Sequence, residues 1–166
     1  MSAGGSPARL RIPAAWSWDL LVETDGRAIV ASAFVPGRRS PQAKPADALL
    51  ADAAEQVRAY FKRRLRRFDL PLDPVGTPFQ RAVWTVVADL SFGEFVSYAD
   101  VARAVGRPLA HRGVAAAMRG TPVDLFIPAH RVVGSDGRVR GAGSHSMRAR
   151  LVAFERPPKP TESLRR

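Results

Sequence analysis

The stretch FIPAHRVV, residues 126–133, sets His130 and Arg131 directly behind an apolar run and a proline. A histidine there can move a proton near neutral pH, and an arginine can hold an anion. Yet Ala129, between the proline and the histidine, is a methyl group that can do no chemistry. Taken alone, His130 fits a hydrogen-bonded structural residue as well as a catalyst. The other histidines, His111 and His145, fall on different elements, and no HExxH or cysteine pair accompanies them, so the sequence calls for no metal. Ser135, Ser144 and Ser146 lie close to His130 and His145 without a GxSxG elbow, which leaves a serine hydrolase little support. GAGSHS at 141–146 has neither the lysine nor the strand–helix setting of a phosphate loop, and no cofactor is called for.

Composition narrows the partner. The 166 residues suit one compact domain or two small lobes, and 46% hydrophobic content is enough for a core. Twenty-six Lys and Arg against 15 Asp and Glu give a net charge of +11. That balance favours a polyanion, nucleic acid before anionic membrane. The chain contains no cysteine, which removes disulfides, thiolate nucleophiles and cysteine-based metal sites together. No apolar run reaches a membrane-spanning length and the N-terminus lacks a signal-peptide core, so a cytoplasmic protein with no membrane partner is expected.

The elements that must carry these residues read as an α/β chain. Residues 1–13 are expected to be a flexible start. Two apolar runs flank Asp25-Gly26 and predict a β-hairpin. Residues 47–67 predict a helix with Leu50, Ala54, Val57, Phe61 and Leu65 on one stripe, ending in the basic KRRLRRF. Hairpin and helix make a small N-terminal α/β lobe over 14–70. DLPLDPVG, 69–76, reads as a linker to a mainly helical domain over 76–156. There Thr77 caps a helix with Pro78 at its first position and Gln80 completing a capping box. SYADVARAVGRPLAHRGVAAAMRG, 97–120, predicts two short helices joined at Gly106, a helix-turn-helix whose second member carries His111, Arg112 and Arg119. LFIPAHRVV reads as a buried strand, Asp136-Gly137 as a turn, MRARLVAFE as a closing helix, and 157–166 as a disordered basic tail.

TPFQRAVWTVVADLSFGEFVSYADVARAVGRP, HRGVAAAMRGTPV and IPAHRVV together resemble the C-terminal domain of O6-alkylguanine-DNA alkyltransferases. The likeness runs almost without gaps over 76–133 and on to Glu155 with a shorter loop. It implies double-stranded DNA as partner, a recognition helix in the minor groove, and a damaged guanine flipped into a pocket, since O6 of a stacked guanine cannot be reached. In that family a cysteine in Pro-Cys-His-Arg takes the alkyl group, activated through water by the histidine, which a glutamate orients. By the resemblance Arg112 matches the arginine that fills the flipped base's place, and Tyr98 the tyrosine that helps rotate the nucleotide. Arg119 matches a backbone contact, and His130, Arg131 and Glu155 match the site's histidine, arginine and glutamate. Arg131 counts with Tyr98, Arg112 and Arg119 as a DNA contact. Tyr98, Ala129, Val132, Ala142 and Ser144 would line the lesion pocket, with the carbonyls of Ala129 and Val132 facing the guanine amino group.

Three departures bear on function. Ala129 stands where the alkyl-accepting cysteine belongs, which excludes self-alkylation. Thr121 replaces a hinge asparagine and offers fewer hydrogen-bonding groups. The loop RGAGSHS is one residue short, with Ala142 at an often aromatic position. The chain is therefore similar to alkyltransferase-like proteins, which bind O6-alkylguanine as damage sensors in DNA repair and pass it to nucleotide excision repair. Those proteins usually carry tryptophan at the vacant position and often lack the N-terminal lobe. Other readings stand beside this one: a methyltransferase inactivated by replacement of its cysteine with Ala129, a helix-turn-helix regulator reading undamaged sequence, and a degenerate non-specific DNA binder. A monomer, nucleoid-associated when DNA-bound, is expected.

Overall fold

The computed structural model describes residues 7–38, 42–140 and 146–157. It is a mixed α/β fold, in which a small antiparallel sheet and one helix adjoin a mainly helical region. Strands β1 (Ala8–Pro13), β2 (Trp18–Thr24) and β3 (Ile29–Pro36) form a meander in the order β1-β2-β3. The stretch expected to be irregular through residue 13 thus supplies an edge strand. Leu10 and Ile12 alternate inward there between exposed or half-buried Arg9 and Arg11, a period-2 pattern short enough to miss beside two prolines. The Asp25-Gly26 turn forms as expected, with Gly26 at φ +91° and the Asp25 carboxylate accepting the N–H groups of Arg27 and Ala28.

Helix α1 (Ala48–Phe61) starts at Asp47, whose side chain accepts the Leu50 N–H; it contacts β1 and β2 and buries Leu50, Ala53, Ala54, Val57 and Tyr60. It stops at Phe61, six residues before the expected 67, with Arg63 at φ +58° just beyond the end. The basic run lies outside the helix. Arg63 stacks over Phe154 instead, and Arg67 pairs with Asp89 at 2.8 Å.

The expected linker is stitched to the sheet. The Ile29 N–H donates to Pro71 O at 2.8 Å and the Asp73 N–H to Ile29 O at 2.9 Å. Further along β3, Ser32 N–H donates to Pro122 O, Asp124 N–H to Ser32 O, and Ser32 Oγ to Asp124 O at 2.7 Å. One face of the sheet edge therefore steadies the segment that leads into residues 126–133. A single hydrophobic cluster runs through both lobes.

Helix α2 (Pro78–Ala88) has the full Thr77–Gln80 capping box. A two-residue strand β4 (Val96–Ser97) leads into α3 (Tyr98–Ala104), capped by Ser97. After α3 the Gly106 N–H donates to Arg103 O and the Arg107 N–H to Ala102 O, a Schellman ending that needs the φ of +72° at Gly106. Helix α4 (His111–Arg119) buries Val114, Ala117 and Met118 against α2 and α3. Gly113 keeps this contact close, since a Cβ there would lie 3.0 Å from the Phe79 ring of α2, which would have to shift by a few tenths of an ångström. Trp84 of α2 donates its indole N–H to Ala117 O at 3.0 Å. Strand β5 (Val132–Val133) pairs in parallel with β4, and α5 (Met147–Glu155) closes the described region.

Candidate functional site

The run expected as a buried strand is not one. Pro128 lacks the N–H a ladder needs, and the chain makes a 3₁₀ turn over Ala129–Arg131 before the two residues of β5. Just upstream the chain reverses at Leu125, a non-glycine residue at φ +71°, a conformation that costs about 1 kcal/mol or more. The 3₁₀ turn aims His130 and Arg131 inward, where both are 1% exposed.

They meet Glu155, the last residue of α5, itself 3% exposed. His130 Nε2 lies 2.7 Å from Glu155 Oε1. Arg131 Nε donates to Oε2 at 2.9 Å and Nη2 to Oε1 at 2.8 Å, a fork on a carboxylate, while Nη1 donates to Leu90 O at 2.6 Å. Two further donors complete the shell: the Tyr60 hydroxyl at 2.7 Å and the Gly93 N–H at 3.0 Å. Among the described residues no buried side-chain polar atom lacks a partner.

Burial would raise the Glu155 carboxyl, but the hydrogen bonds from His130 and Arg131 and the Arg131 charge outweigh it and hold it far below the usual carboxylate range. Burial drives His130 down despite the pull of Glu155. It drives the Tyr60 phenol up, and the Glu155 charge adds to that. At neutral pH the cluster thus holds one carboxylate, one guanidinium, a neutral imidazole and a neutral phenol. The imidazole donates Nε2–H to Glu155, which leaves the Nδ1 lone pair as a proton acceptor. Removing one partner from such a buried pair costs about 3–5 kcal/mol.

Arg131 is therefore not a DNA contact. Its guanidinium is enclosed and bound on every side used above, so no phosphate can reach it. Arg112 and Arg119 sit exposed on α4, with His111 beside them. Tyr98 opens α3, half-buried, and its hydroxyl accepts the Arg140 N–H at 3.4 Å. Among the described residues Thr121 Oγ1 accepts the Val123 N–H alone, at 3.5 Å, a contact within its own turn. Ala142 and Ser144 lie outside the described residues.

Ala129 is 4% exposed and forms part of the wall of a cleft of about 560 Å³. His130, Asp124, Arg148 of α5, and Trp18 and Phe34 of the sheet share that wall; Tyr98 and Val132 do not. The Ala129 carbonyl already accepts the Val132 N–H and keeps one lone pair for a ligand. Sequence reasoning missed Tyr60, Gly93, Arg148 and the sheet's share of the cleft. Tyr60 was legible as the next inward position after Val57, whereas a main-chain N–H such as that of Gly93 leaves no mark in a sequence.

The profile of the 6-O-methylguanine DNA methyltransferase DNA binding domain matches residues 78–156. A methylated-DNA–protein-cysteine methyltransferase of Methanosarcina barkeri is 43% identical over 93 residues, 56% of this chain and 59% of that protein. Another, of Mycolicibacterium paratuberculosis, is 40% identical over 111 residues, 66% of this chain and 67% of its own length. The chain belongs to the methylated-DNA–protein-cysteine methyltransferase family. Its match spans about three-fifths to two-thirds of these relatives. The fold is similar to that of Mycobacterium tuberculosis OGT in complex with DNA, with a TM-score of 0.73, 29% identity, and coverage of 86% of this chain and 89% of that one. This member of the methyltransferase family has no cysteine anywhere.

Proposed function

We propose that this protein binds duplex DNA through α4, draws an O6-alkylated guanine out of the stack, and holds it beside Ala129 without taking its alkyl group. One observation carries the reading: the groups that would serve a nucleophile are in place around a position that has none. His130 is oriented by Glu155, Glu155 is secured by Arg131, Tyr60 and Gly93, and Ala129 opens onto a cleft. A fully satisfied buried polar cluster retains its shape whatever stands at residue 129, so recognition can outlast reaction.

In this reading α4 lies against the minor groove, and Arg112 takes the space of the extruded base. Arg119 holds the backbone, and Tyr98 helps turn the nucleotide. The +11 charge supplies the long-range attraction. The lesion stays chemically intact and is marked for removal by excision repair.

The test uses a duplex with a fluorescent adenine analogue beside a single O6-methylguanine. Binding should brighten the analogue as its neighbour leaves the stack, and digestion of the recovered DNA should return all of the O6-methylguanine. A bound duplex with unchanged fluorescence would contradict extrusion.

A further inference from the structure

We infer that the cleft running from Ala129 to the N-terminal sheet receives the O6 substituent, and that Arg148 makes it select substituents ending in a carboxylate. The inference rests on the proposed lesion binding and names the adduct that the site takes.

Size comes first. A cleft of about 560 Å³ falls within the roughly 300–1,000 Å³ of sites that enclose a whole small ligand. A methyl group beside Ala129 would fill a corner of it. Strands β2 and β3 contribute Trp18 and Phe34 to the wall, so the N-terminal lobe helps shape the space that an adduct would enter.

Charge then decides the chemistry. Among the described residues three arginines line the cleft, Arg119, Arg140 and Arg148, against one acidic residue, Asp124. Arg119 and Arg140 are exposed, and Arg119 lies at the end of the helix assigned to DNA. Arg148 is half-buried, and its Nη2 donates to Met118 O at 2.6 Å, which fixes the guanidinium in place. It lines the same cleft as Ala129 and His130, and its charge acts on both His130 and Asp124. Asp124 is the opposing group: burial raises its carboxyl, while the Arg148 charge and a main-chain hydrogen bond from Phe34 pull the other way.

A guanidinium already held by one carbonyl keeps N–H groups for a carboxylate, and such charge-assisted bonds are about twice as strong as neutral ones. A carboxymethyl group on O6 has the reach and the charge. A neutral alkyl end of the same length gains nothing from Arg148.

Equilibrium binding of the full chain to duplexes that differ only at one guanine tests this, with O6-methyl, O6-carbamoylmethyl, O6-carboxymethyl or no substituent. The carboxymethyl duplex should bind roughly tenfold or more tightly than its neutral carbamoylmethyl isostere. Arg148→Gln should erase that ratio, and Arg148→Lys should keep part of it. Equal binding of the two isosteres, or preference for the carbamoyl form, overturns the role of Arg148 and leaves lesion binding standing. If no adduct outbinds unmodified guanine, the lesion-binding reading fails, and the inference with it.

Discussion

Tyr60 and Glu155 stand 95 residues apart in the chain, and the phenol donates its proton to the carboxylate across 2.7 Å. The N-terminal helix therefore takes part in ordering the cluster behind residue 129. Tyr60→Phe keeps the ring and removes one donor to a buried charge. It should lower stability by about 1.5–3 kcal/mol, read by urea denaturation. A loss too small to measure would mean that the other donors to Glu155 suffice.

Acid should unfold the protein in two stages. Glu155 and His130 both have folded values below their ordinary ones, so the unfolded chain binds more protons and stability falls as pH falls. The His130 contribution is whole above its ordinary 6.5 and fades first, and the Glu155 contribution fades below its ordinary 4.5. Asp124, raised by burial, runs the opposite way and blunts the second stage. Tyr60, also raised, makes stability fall again once pH climbs past its ordinary 10.0. Denaturation midpoints at pH 8, 5.5 and 4 should decline in that order, and a flat series would contradict the charge states assigned to the cluster.

Ala129→Cys should turn the protein into an alkyl acceptor. The new thiol would stand beside His130, whose Nδ1 can take its proton. Sulfur then bonds the methyl carbon as the carbon–O6 bond breaks, and guanine is restored. Intact-protein mass should rise by one methyl group after incubation with an O6-methylguanine duplex. Adding His130→Gln should slow the transfer by roughly 10²-fold or more. A folded, DNA-binding Ala129→Cys variant that gains no mass would show that the site has lost more than its nucleophile.

Much of this was legible in the sequence. The capping residues Thr77 and Ser97, the left-handed Gly106 and the inward Val114, Ala117 and Met118 stand where local rules put them, because each rule concerns a few neighbouring residues. The strand at Ala8–Pro13 and the end of α1 at Phe61 were misjudged. The strand's short alternation is hidden beside two prolines, and the basic run after Phe61 obscures an end that tertiary packing sets. The Glu155 shell was only half visible: His130 and Arg131 came with the family motif, but Tyr60 and Gly93 meet Glu155 through long-range folding alone. Arg131 was misassigned to DNA because a sequence does not say which way an arginine points.

Arg112→Ala should weaken binding to a lesion duplex more than to an intact one, since only an extruded base leaves a gap to fill. Equal losses would remove that role. In both cases log affinity should fall with log salt, by about 0.9 for each phosphate neutralised on duplex DNA.

The most direct measurement is the affinity of the protein for two duplexes identical but for a single O6-methylguanine, at one physiological salt concentration. A clear preference for the lesion, with the methyl group left on the DNA, is expected of a site that recognises without reacting. Equal affinity would contradict it, and would mean that the Tyr60–Glu155–His130 cluster supports a fold that binds DNA but reads no damage.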